Sequence, residues 1–137
     1  MQPRTPDEWP GVFEERLARG DVEGLLALYD PDARFVTPSG EVIAGREPIR
    51  AVLTGLVRAK ARMRSRVQRA VAVGDVAILY TDFDGTALDA AGARVVLTSR
   101  AIEVLRRRED GTWVLIVGDP NGRGGPEPAL AAEASTP

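Results

Sequence analysis

A chain of 137 residues that is 44% hydrophobic and 28% charged has the size and balance of one globular domain, long enough to close a core of its own. It holds no cysteine and no histidine. That excludes a disulfide framework, a thiolate nucleophile and the commonest metal ligands, and leaves any proton transfer to Asp, Glu, Tyr, Lys or water. The amino-terminal residues MQPRTPDEWPG carry no apolar leader core and no apolar run approaches a membrane span, so a cytoplasmic location with no membrane partner is expected. The abundance of Ala, Arg, Val and Gly points to a GC-rich bacterial source.

The first element is announced by Thr5, Pro6, Asp7 and Glu8. Thr5 can cap a helix, Pro6 suits its first position, and Glu8 can close a capping box. A helix is therefore predicted over about residues 6–19, with Trp9, Val12, Phe13 and Leu17 along its apolar face and Gly20 ending it. Asp21 caps a second helix in which Val22, Leu25, Leu26 and Tyr29 share a face, and Asp30-Pro31-Asp32 stops it. Residues 33–37 read as a short strand, which Pro38-Ser39-Gly40 turns back into residues 41–44. A third helix opens near Arg46, tolerates Pro48 in its first turn, and aligns Ile49, Val52, Leu53, Leu56 and Val57 in one stripe.

Four strands are predicted next, at about residues 61–73, 76–86, 94–107 and 112–118. Gly74-Asp75, the stretch from Asp89 to Gly92, and Asp110-Gly111 serve as their hairpin turns. Beyond Asp119-Pro120 the segment is rich in Gly, Pro and Ala. Residues 122–137 are expected to be a disordered tail, leaving residues 1–121 as a single domain.

The run FEERLARGDVEGLLALYDPDARFVTPSGEVIAGREPIRAVLTGLV, residues 13–57, resembles the amino-terminal half of the nuclear transport factor 2-like superfamily. Within it the run is most similar to the SnoaL-like proteins and the small ketosteroid isomerases. The resemblance implies an α+β fold of the cystatin-like kind: a cone-shaped, curved antiparallel sheet wrapped around three amino-terminal helices that enclose a small-molecule pocket. Strands such as VAILY and VVL are apolar on both faces. A second copy of the chain, joined sheet to sheet, would cover the outer face. The resembled superfamily forms such homodimers.

Ketosteroid isomerases place a Tyr on the first helix, a base Asp before a Pro, and a protonated acid on a long strand. The resemblance lays these positions over Phe13, Thr37-Pro38 and Glu103 in AIEVLRRREDG. Phe13 cannot donate to an oxyanion and Thr37 cannot act as a base near neutral pH, so steroid isomerisation by that mechanism is not expected. Glu103 is the candidate acid. Turned inward it would be desolvated beside Ala101, Leu105 and Phe13 and its pKa raised; a one-residue register slip would instead put it outside against Arg107.

Tyr80 and Asp82 are the other candidate catalytic residues. If Ile78, Tyr80, Asp82 and Asp84 face inward, they share the cavity with Glu103. The opposite phase puts Ala77, Leu79 and Phe83 inside and leaves the acids solvated. Trp9, Phe13, Thr37, Leu53, Val57 and Ile116 are the expected ligand contacts. No metal is expected in a chain without cysteine or histidine, and no nucleotide cofactor, because no Gly-rich phosphate loop precedes a helix.

Lys60, Arg62, Arg64 and Arg66 alternate on one strand face, but with a net charge of −2 and no aromatic residue among them they read as edge protection rather than a nucleic-acid surface. Two classes of function stay open. One is a SnoaL-like enzyme of isomerase, cyclase or hydratase type acting on a hydrophobic small molecule; the other is a non-catalytic ligand-binding or dimerisation module.

Overall fold

A computed structural model of the chain describes residues 1–124; most of the expected tail lies outside the described residues. A 3-10 turn at Pro6–Glu8 runs into helix α1 (Trp9–Ala18), followed by α2 (Val22–Leu26), strands β1 (Tyr29–Val36) and β2 (Val42–Ala44), and helix α3 (Arg46–Arg58). Four long strands complete the fold: β3 (Arg62–Val73), β4 (Val76–Leu88), β5 (Arg94–Arg107) and β6 (Trp113–Asp119). The predicted start signal is used as read, with the Glu8 carboxylate accepting the N–H groups of Thr5 at 3.3 Å and Arg4 at 2.8 Å.

The second helix is shorter than the sequence predicted, and Tyr29 belongs to β1 rather than to its face. Pro31 disfavours helical backbone at the residue before it and brings no N–H of its own. The Asp30 carboxylate accepts the Asp32 N–H at 2.9 Å, and Tyr29 pairs with Leu115 of β6. Pairing with a distant strand thus overrides a local apolar pattern.

The six strands form one mixed sheet in the order β2-β1-β6-β5-β4-β3. The chain builds the β1–β2 hairpin, crosses through α3 to the far edge, and returns by antiparallel hairpins until β6 lies parallel to β1. The sheet curves around the helices, giving the α+β cone of the cystatin-like class. Register shifts between Val67 and Arg69, and between Val104 and Leu105, add local bend and twist. Gly85 permits the tightest approach. It sits opposite Met63, and a Cβ there would lie 1.8 Å from the Arg62 carbonyl oxygen, so no other residue fits without moving a strand.

Helices and sheet meet over one core, in which Leu17, Leu25, Leu53, Leu79, Leu105 and Leu115 are almost wholly buried. Trp9 is fixed at its centre by Nε1–H donation to the Leu28 carbonyl at 2.9 Å. On the free edge strand β3, Arg62, Arg64 and Arg66 are exposed while Met63 and Val67 are half-buried against the core. Glu14 of α1 accepts from both the N–H and the hydroxyl of Ser65, at 2.9 and 2.8 Å, which ties that edge to the helix.

Candidate functional site

Strand alternation decides what faces the helices. The inward positions of β5 are Ser99, Ala101, Glu103 and Leu105, all buried. Across the β4–β5 ladder Leu79 stands opposite Glu103, Thr81 opposite Ala101, and Phe83 opposite Ser99, so these β4 residues face the same way. Between this wall and the helices lies a cavity of about 300 Å³. Trp9 and Phe13 enter it from α1, Val52, Leu53 and Leu56 from α3, and Tyr29 and Phe35 from β1. Thr37, Pro38 and the turn Asp119-Pro120-Asn121 also line it.

Glu103 is the buried acid of this cavity, only 5% exposed. Its Oε1 accepts the Thr81 hydroxyl at 2.9 Å. No other donor among the described residues bonds to the carboxyl group, so its second oxygen is available to whatever enters. Burial pushes the carboxyl up to about 7, against the smaller opposing effects of the Thr81 hydrogen bond and the Arg123 charge. Both protonation states are therefore populated near neutral pH, as a group that gives and takes protons requires.

Tyr29, which sequence reasoning assigned to a helix face, stands beside this acid. Burial raises its phenol above the ordinary range, and the nearby Glu103 charge raises it further. The available signal was the spacing of Tyr29, Ala33 and Phe35, which fits a strand better than the end of a helix. Aromatic rings continue from there along the wall: Trp9 meets Tyr29 edge-on at 5.7 Å and stacks on Phe13 at 5.4 Å, and Phe13 meets Phe83 edge-on at 6.0 Å.

Of the residues singled out by sequence, the structure brings Trp9, Phe13, Thr37, Leu53 and Glu103 together around the cavity. Val57 packs against the core near Gly20 without lining the cavity, and Ile116 falls at the β5–β6 register shift, also away from the lining. Thr37 is engaged by its own turn: its hydroxyl lies 2.9 Å from that of Ser39 and accepts the Glu41 N–H at 3.1 Å.

The inward placement of Tyr80 and Asp82 is corrected. Their ladder partners are Ile102 and Arg100, so they lie on the outer face of the sheet, and Ile78 and Asp84 share that phase. The reason is electrostatic satisfaction. Asp82 accepts from Arg123 at 2.7 Å and Gln68 at 2.9 Å, with Arg66 and Arg100 within 4 Å, whereas no Lys or Arg is among the described residues that line the cavity. The Arg123 hydrogen bond holds its carboxyl below the usual range, helped by Gln68 and by the Arg100 charge and against partial desolvation. Tyr80 lies within 6.0 Å of both the Arg69 and Arg123 guanidinium groups. Arg123, placed in the tail by composition, also donates to the carbonyls of Thr81 at 2.9 Å and Ala101 at 3.2 Å.

A curved mixed sheet closed over helices, with a buried carboxyl in an apolar cavity, defines a protein of the nuclear transport factor 2-like superfamily. The chain belongs to the SnoaL-like domain family, whose model matches residues 12–116. Among solved structures it is similar to a ketosteroid isomerase-like protein from Erwinia carotovora atroseptica SCRI1043, with a TM-score of 0.72 and 17% identity over 82% of this chain and 89% of that one. It is similar to an NTF2-like protein from Streptomyces avermitilis provisionally named a dehydratase, with a TM-score of 0.67 and 20% identity over 83% and 92%. It is also similar to an uncharacterised protein of cystatin-like fold from Caulobacter vibrioides, with a TM-score of 0.71 and 16% identity over 93% and 91%. These likenesses show the fold alone. No curated protein matches the chain.

Proposed function

We propose that the cavity binds a hydrophobic small molecule and that Glu103 acts on it as a general acid or base, in a reaction of the isomerase, cyclase or hydratase kind. The observation that carries this reading is a carboxyl in an apolar cavity, one oxygen held by Thr81 and the other free, that titrates near neutral pH. Trp9, Phe13, Leu53 and Thr37 would form the ligand contacts, and residues 1–121 the working domain. A second reading, ligand binding without catalysis, draws support from the hydroxyl of Thr37 being occupied by its own turn and from Phe13 carrying no donor.

The test joins two measurements. Carbon-13 NMR of the Glu103 carboxyl is expected to give a midpoint near 7; a midpoint below about 5 would remove the catalytic reading. Native mass spectrometry after exposure to a metabolite extract is expected to show an apolar small molecule on the wild-type protein and none on Leu53→Trp, which fills the cavity. Capture by both proteins alike would remove the cavity reading.

We further propose a homodimer through the outer sheet face. Val71, Ile78, Val104 and Val117 pair in sequence across four adjacent strands and form an apolar row, with Val73 and Val76 beside it. Val71, Val73 and Val76 are among the exposed large hydrophobic residues of the chain. A cytoplasmic, bacterial setting is the remaining part of the proposal and rests on composition.

A further inference from the structure

All three Phe residues of the chain, one of its two Trp and one of its two Tyr line a single cavity. Both charged residues among its lining are acids, Glu103 and Asp119, although the chain carries 18 Lys and Arg. The guanidinium whose charge reaches Glu103, that of Arg123, is spent on Asp82 and on the carbonyls of Thr81 and Ala101. A buried carboxylate with no cation beside it, walled by ring systems, is half of an ion pair. We propose that the cavity takes a lipophilic organic cation, an alkyl- or arylammonium group, with Glu103 as its counter-ion and the rings of Trp9, Phe13, Tyr29 and Phe83 as its cage. This rests on the reading above that the cavity is the ligand site, and it names the ligand's chemical class.

The physical argument has two parts. Ring faces attract cations, and the attraction grows when water is excluded, as it is around residues only a few per cent exposed. A desolvated ammonium is costly on its own, so the site must also supply a compensating charge. Glu103 supplies it: burial is what drives its carboxyl towards the neutral form, and a cation entering beside the free oxygen restores the charged one. Size is consistent, because about 300 Å³ is the small end of ligand pockets, suited to a compact aryl- or alkylammonium.

Affinity for a permanently charged ligand must then follow the ionisation of Glu103, rising with pH through about 7 and levelling above it. The groups facing Glu103 are few. The Tyr29 phenol comes from β1 and the Thr81 hydroxyl from β4; Asp119, at the end of β6, stands opposite Ile102 in the outward phase and its carboxylate accepts the Asn121 N–H at 3.3 Å, with Arg123 also on the outer side. Helices α1 and α3 turn only apolar side chains into the cavity.

The experiment compares two molecules of one shape, phenyltrimethylammonium and tert-butylbenzene, titrated into the full-length protein. Binding is followed by the change in tryptophan fluorescence, Trp9 being the one of the two tryptophans that lines the cavity, and by methyl NMR. The cation is expected to bind at least about tenfold tighter than its neutral isostere at about pH 8, and the advantage is expected to fall to about threefold or less by about pH 5.5. Glu103→Gln should abolish that pH dependence, and Asp119→Asn should keep it. Equal or tighter binding of tert-butylbenzene at about pH 8 would overturn the cation proposal and leave the cavity reading standing. Binding of neither molecule would overturn both. A pH dependence that survives Glu103→Gln or disappears in Asp119→Asn would remove Glu103 as the counter-ion. Should Glu103→Gln fail to fold, the wild-type pH series and Asp119→Asn still decide the matter.

Discussion

Glu103 carries a thermodynamic cost that can be measured without knowing any ligand. Its carboxyl titrates near 4.5 in an exposed setting and at about 7 in the fold, so between those values the folded chain holds a proton that the unfolded chain has released. Stability supplied by the proton is complete below about pH 4.5 and is lost as pH rises through about 7, a change of about 3 kcal/mol at the upper limit. Urea unfolding is therefore expected to give a wild-type protein less stable at pH 8 than at pH 5, with Glu103→Gln flattening this slope. A wild-type curve rising across that window would contradict the burial of an unpaired acid. Asp82 runs the other way. Its folded carboxyl is depressed by Arg123, Gln68 and Arg100, so its contribution is present above the usual carboxylate range and fades as pH falls. Asp82→Asn is expected to destabilise the protein at pH 7 and to match wild type in strong acid, as the same unfolding series would show.

Each element positions the site through a feature of its own sequence. The close β3–β4 pair depends on Gly85, where an added Cβ would meet backbone rather than a flexible side chain. Gly85→Ala is expected to cost about 1–3 kcal/mol or more, read as a lowered melting temperature, because strands must part to admit it. A variant as stable as wild type would show the approach to be looser than described. On α3, Ile49 and Leu53 are buried while the opposite side of the helix is solvated, and of the stripe seen in the sequence Val52, Leu53 and Leu56 close the cavity. Strand β5 does most to set function: its inward positions are Ser99, Ala101, Glu103 and Leu105, so a one-residue slip would carry the acid outside and empty the site.

On the scale of the whole molecule, the sheet has two faces with different tasks. The inner face closes on the helices; the outer face carries charge at one end, where Asp82 and Asp84 meet Arg66 and Arg100, and an apolar row at the other. If that row joins two copies, Val104→Asp should turn a dimer into a monomer in sedimentation while leaving the circular dichroism of the fold unchanged. A wild-type protein that is monomeric at micromolar concentration would remove the dimer proposal.

How far the site could be read from sequence follows from the range of the forces involved. Helix starts, the α3 stripe and the three hairpin turns depend on neighbours within a few residues. The sequence by itself therefore determined their kind and order, and the resemblance carried by residues 13–57 pointed to the family. The same local reading misplaced Tyr29, because only the Leu115 strand, 86 residues away, makes its position a strand. It also left open which face of β4 is inward. Alternation has two phases of equal local merit; composition near Tyr80 and Asp82 favours the outward one, because acids are rarely buried unpaired, and the isomerase resemblance the inward one. The tertiary structure chose between them by bringing Arg123, Arg100 and Gln68 to the outside, where Asp82 can be satisfied, and by leaving Glu103 inside with one hydroxyl and a wall of aromatic rings. Arg123, 41 residues from Asp82, reaches it only once β6 has joined the sheet.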